Sequence, residues 1–118
     1  MSNIFSKILV ILLILVGEST VILAEMLAAR KYASASPFLS IFLKMFLISI
    51  VGGGFLVAGY ALGFKNFKNI WIVSVISITS ILIMEPILIY LIFHQLPERG
   101  SLIGFIFGVL GFAAALFL

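Results

Sequence analysis

The chain contains no cysteine, three prolines, one histidine and one tryptophan, and only 9% of its 118 residues are charged. The missing cysteine removes disulfides, thiolate nucleophiles and sulfur-ligated metals, and leaves the redox compartment open. The scarcity of charge removes a water-soluble fold. With 64% hydrophobic residues and a mean hydropathy of +1.42, there is too little polar surface to cover a soluble domain. No block of basic residues is present to grip a nucleic acid. The formal charge is only +3, and the basic residues sit near the ends of apolar runs, where lipid headgroups lie. No spacing of His, Asp and Glu resembles a metal site. No nucleophile–base pair or phosphate-cradling loop can be assembled, so the chain does not read as an enzyme and calls for no cofactor.

What is present is four long apolar runs, at residues 4–28, 37–62, 70–93 and 100–118, joined by short connections at 29–36, 63–69 and 94–99. About 20 apolar residues span a bilayer as a helix. In lipid every backbone N–H and C=O must be satisfied within the segment, which dictates helices. Runs without alternation exclude a β-barrel. The expectation is an all-α integral membrane protein: one domain over 1–118, four transmembrane helices, short loops, multi-pass in a lipid bilayer. Lys7 before an apolar run, with Ala33-Ser34-Ala35 beyond it, has some look of a signal peptide. Glu18, Glu25, Arg30 and Lys31 intervene, too far past the apolar region for cleavage, so the first span is expected to stay.

The basic residues do not orient the chain. Four spans put Lys7, Lys65 and Lys68 on one side and Arg30, Lys31 and Arg99 on the other, joined there by Lys44 if it reaches the nearer loop. The positive-inside rule then has almost no bias to act on. Either a partner or the first helix sets the orientation, or the chain inserts both ways and pairs as an antiparallel dimer.

Ionisable side chains inside apolar spans are expensive, and so read as functional candidates. Glu18 and Glu25 are two helical turns apart on one face of the first span. Lys44 enters the second span at nearly the depth of Glu25, which makes Glu25–Lys44 the expected structural ion pair, with a proton or ion relay as the other reading. In the third span Ser74, Ser77 and Glu85 fall on one stripe, with Ser80 beside it. Glu85 and Glu18 are expected near one midplane level without a cation. Burial and like charge disfavour the ionised carboxyl, so one or both are expected to hold a proton. They then bind substrate or proton, or make an interhelical hydrogen bond worth about 1 kcal/mol. Pro86 frees the carbonyl of Leu82 and permits a kink.

Two sets of glycines complete the pattern. Gly52-Gly53-Gly54, with Gly59 and Gly63, serves either close packing or a bend. Gly100, Gly104 and Gly108 recur every four residues, followed by Gly111 and Ala115. Such a ridge lets helices approach closely, either between copies or within one chain. Trp71, Tyr32, Tyr60 and Tyr90 near span ends fit an interfacial belt, and His94 is expected at an interface rather than as a ligand.

The stretch ILIYLIFHQLPERGSLIGFIFGVLGFAAAL, residues 87–116, places Gln95 in a short turn, Gly104 nine residues later and Gly111 after seven more. Glu18 precedes Pro37 by 19 residues. In these features the chain resembles the drug/metabolite transporter superfamily at its smallest size, the four-helix small multidrug resistance group and its relatives. The resemblance implies a dimeric inner-membrane transporter, a homodimer with dual topology or a heterodimer with a paralogue, with Glu18 as the membrane-embedded acid. Multidrug members carry a Tyr and a Trp on the third helix, where this chain has small polar residues near Ser74 and Ser77. Glu85 and Lys44 are additional charges. The resemblance therefore implies a small polar solute or a lipid-linked sugar, as in the flippase branch, rather than an aromatic cation. A non-transporting subunit packed in a larger membrane complex is the alternative from another class.

Overall fold

The computed structural model describes residues 2–34 and 37–118, with side chains from Ile4 onward. Ala35 and Ser36, which belong to the expected first connection and the cleavage-like triplet, lie outside the described residues. The chain forms α1 (Ser2–Ala33), α2 (Phe38–Phe67), α3 (Ile70–Phe93) and α4 (Arg99–Phe117). All four are long and apolar enough to cross a membrane.

The third run matches its helix end for end. The first two helices run five residues past the apolar runs that announced them, α1 to Ala33 and α2 to Phe67. The reason is local. Arg30, Lys31 and Lys65 end the apolar pattern, but Lys and Arg are good helix formers. They also suit the last turn, where the helix dipole favours positive charge. The connection between α2 and α3 shrinks to Lys68 and Asn69. Lys68 takes the left-handed conformation (φ 59°) and its N–H bonds the carbonyl of Phe64. Asn69 caps α3 by accepting the N–H of Trp71 at 2.9 Å, as asparagine does at this position. His94 ends α3 in the same left-handed way (φ 55°), its N–H on Tyr90. A non-glycine residue there costs roughly 1 kcal/mol. Pro86 lies inside α3 without interrupting it.

The packing centres on α1. Its buried positions Val10, Ile14, Gly17 and Ala24 meet Ile41, Met45, Gly52, Gly59 and Gly63 of α2. Both sets are spaced by fours and sevens, with a three between Ile14 and Gly17, the period of 3.5 residues that keeps two helices in register along a seam. At Gly17 and Gly52 the backbones touch. A Cβ on Gly17 would lie 2.9 Å from the Gly52 carbonyl oxygen, and one on Gly52 would lie 3.0 Å from that of Gly17. Gly59 makes room for Ile14, and Gly63 for Val10 and Val73. Gly53 and Gly54 face open space. Of the two roles expected for the triplet, close packing is therefore Gly52's alone.

α3 leans against the α1–α2 pair. Val73 joins Val10 and Ile14 in one buried cluster, flanked by Leu56, Tyr60, Phe67 and Ile76. A second cluster, Ala24 with Ile41 and Met45, closes the other end of the seam. At the outer end of α1, the Lys7 ammonium sits 5.4 Å above the Phe67 ring, a cation–π contact. Among the described residues, α4 contacts only α3 and has no buried residue.

Candidate functional site

Hydroxyls inside long apolar helices usually satisfy themselves. Ser19, Thr20, Ser49 and Ser80 each donate to the carbonyl four residues back on their own helix, the common fate of Ser and Thr in such helices. Ser77 does not. Its hydroxyl crosses from α3 to α1 and donates to Oε1 of Glu18 at 2.7 Å. Ser77 is buried and Glu18 half-buried. The bond ties two elements 59 positions apart in sequence. It is the one hydrogen bond between side chains of different helices among the described residues. Glu18 lies one residue beyond Gly17, so the contact of α1 with α2 fixes the rotation that turns Glu18 towards α3.

Ser74, one turn earlier on α3, is half-buried and is not joined to Glu18 by a hydrogen bond. Ser77 is thus the member of the expected serine pair that meets the acid. Thr79 was not singled out by its sequence position. Its Oγ1 is buried with no hydrogen-bond partner among the described residues.

Glu85 is not level with Glu18. It follows Ser77 by eight residues, about 12 Å further along the axis. There it shares a level with Glu25, which stands seven residues beyond Glu18 on α1. An apolar run ending at residue 28 would put Glu18 and Glu85 at one level. Because α1 continues to Ala33, Glu25 and Glu85 each lie eight residues before their helix ends. Helices α1 and α3 run parallel, and Glu18–Ser77 and Glu25–Glu85 are successive rungs between them.

The expected Glu25–Lys44 ion pair does not form. Both side chains are exposed. Their levels agree, since the neighbouring Ala24 and Met45 share one buried cluster. Their directions do not. Glu25 follows the seam residue Ala24, and Lys44 precedes the seam residue Met45. At about 100° per residue, in an antiparallel pair these offsets leave the seam on opposite sides. Glu25 turns to the side carrying α3, and Lys44 to the bare side.

The glycine ridge of α4 is mostly unused within the chain. A Cβ on Gly100, Gly104 or Gly111 would meet nothing within 4 Å, and one on Gly108 would lie 3.3 Å from Leu82. No group of His, Cys, Asp and Glu able to hold a metal occurs among the described residues.

Chemically, the contact between α1 and α3 offers one hydrogen-bonded acid, Glu18, with a carboxylate oxygen left for a proton or a solute donor. Further along the same two helices stand two more acids, Glu25 and Glu85. Comparison with protein-family models, curated proteins and solved structures finds no match to the chain.

Proposed function

We propose that the protein is a multi-pass transporter of the inner membrane, of the drug/metabolite transporter type. It works as a dimer and moves a small polar solute or a lipid-linked sugar. Glu18 is the exchange site, binding a proton and the substrate's polar group in turn. The Ser77–Glu18 bond carries this reading: an acid half-buried among apolar helices is held by a single hydroxyl, which orients the carboxyl without supplying a fixed counter-charge. Glu25 and Glu85 stand one step further along the same pair of helices and offer a second stop for a cation or proton. The open glycine ridge of α4 forms the seam with the second copy.

The test is reconstitution into liposomes. One arm follows flipping of a fluorescent polyprenyl-phosphate sugar by dithionite quenching. The other follows proton flux with an internal pH dye as polar solutes are added. Glu18→Gln should fold, elute like the parent on size exclusion, and abolish the activity. Wild-type vesicles no more active than empty ones in either arm, or full activity in Glu18→Gln, would refute the assignment.

The alternative is a non-transporting subunit of a larger membrane assembly. The exposed Lys44, on the bare side of the α1–α2 pair, favours it, because a charge facing lipid calls for a partner group. Cysteine cross-linking decides between them, with clean interpretation in a chain that has no cysteine of its own. Self-dimers through α4 support the transporter, and a fixed foreign partner supports the subunit.

A further inference from the structure

A cavity lies away from Glu18. It is a laterally open cleft of about 660 Å³ between the last part of α3, the 94–98 turn and the start of α4. A second cavity of about 280 Å³ continues it deeper along the same two helices. Pro86 and Phe105 border both, so the two form one groove. The two helices approach where a Cβ on Gly108 would lie 3.3 Å from Leu82, and among the described residues α4 packs against α3 only.

The walls are sorted by chemistry. The deep part is Leu82, Ile106, Val109 and Leu110. The polar side chains Tyr90, Gln95, Glu98 and Ser101 lie towards the turn end. From Glu98 to Leu110 is twelve residues, ~18 Å of helix, close to the ~15 Å of one leaflet's hydrocarbon. Glu98 is the one charged side chain on the walls. A carboxylate only accepts hydrogen bonds and carries negative charge, so the head that satisfies it fully brings hydrogen-bond donors and positive charge together. Arg99, next in the chain, supplies the opposite charge at the same end.

We propose that this groove seats one acyl chain of an ethanolamine phospholipid, with its ammonium on Glu98 and Gln95 and its phosphate towards Arg99. Choline heads carry no N–H donor and leave Glu98 unsatisfied. Glycerol heads leave the lipid with net negative charge beside it. The inference rests on the membrane placement above and is independent of transport.

The test is native mass spectrometry of the full chain released from mild detergent. It is titrated with ethanolamine, choline and glycerol phospholipids of equal acyl length. One ethanolamine lipid per chain should be retained at least fivefold over the others. Glu98→Gln should bring the three lipids level, and Ser101→Trp, which fills the mouth, should abolish retention. Glu18→Gln, which tests transport, should retain lipid like wild type. A second measurement does not depend on the filled variant folding. With Trp71→Phe as background, a tryptophan at Phe105 should be quenched by bromine-labelled ethanolamine lipid at several-fold lower lipid fraction than one at the exposed Val57. Equal retention of the three lipids by wild type, or equal quenching at the two positions, would overturn the proposal. Failure of the membrane placement would show separately, as release of the protein by alkaline carbonate.

Discussion

The glycine triplet of α2 offers the sharpest test of the packing, because three identical neighbours have three different surroundings. A methyl on Gly52 would lie 2.9 Å from Val21 Cγ2, 3.0 Å from the Gly17 carbonyl oxygen and 3.1 Å from Thr20 Cβ. None of these is the far end of a flexible side chain, so the α1–α2 seam must open. Overpacking of this kind costs about 1–3 kcal/mol, partly offset by the roughly 0.5–1 kcal/mol gained when alanine replaces glycine within a helix. Gly53→Ala and Gly54→Ala meet nothing within 4 Å and keep only the gain. Gly52→Ala should therefore be less stable than either neighbour by about 1–3 kcal/mol, the overpacking cost itself. Gly17→Ala should behave like Gly52→Ala, because its methyl would meet the Gly52 carbonyl oxygen and Leu56 Cγ at 2.9 Å. The assay is maleimide labelling of a single cysteine placed at the fully buried Ala24, followed across increasing dodecyl sulfate in micelles. If the three triplet variants open at the same dodecyl sulfate, or Gly53→Ala is as damaging as Gly52→Ala, then the triplet is a hinge and the seam argument fails.

Three further outcomes follow from the same geometry. Glu25→Gln and Lys44→Met, exposed and unpaired, should each change stability by less than about 0.5 kcal/mol or raise the folded yield, and should combine additively; a double variant that rescues a damaging single one would restore the ion pair. Ser77→Ala should fold but shift the substrate or proton affinity of Glu18, whereas Ser74→Ala should leave transport unchanged; matching effects in liposomes would mean that Ser77 holds no special place. Gly104→Leu should push the protein towards monomer in mild detergent without lowering monomer stability, Gly108→Leu should also disturb α3 through Leu82, and Ile103→Phe on another face should do neither; an unchanged elution volume for Gly104→Leu would remove α4 from the seam.

Orientation is open to a direct experiment as well. With basic residues nearly balanced on the two sides, C-terminal reporter fusions should give signal on both faces, and two added lysines in one loop should tip the balance.

The number of helices and the levels of Glu25 and Lys44 were legible in the sequence. Apolar length sets how many helices there are, and the rise per residue sets how far along each a side chain lies. The misplacement of Glu85 relative to Glu18 came from helix ends. Hydropathy marks where apolar residues stop, whereas Arg30, Lys31 and Lys65 let the helix run on. What the sequence could not decide was rotation. A helix that is apolar all round has no polar face to mark the outside. Glu25 and Lys44 share a level yet leave the seam on opposite sides. Ser77 and Ser74 look alike in the sequence, and so do Gly52, Gly53 and Gly54. The contact of Gly17 with Gly52 settles the rotation of α1 against α2. From it follow the turn of Glu18 towards Ser77 and the exposure of Lys44. Length and chemistry were thus set residue by residue, while the direction in which each side chain points was set by the closest approach of two backbones.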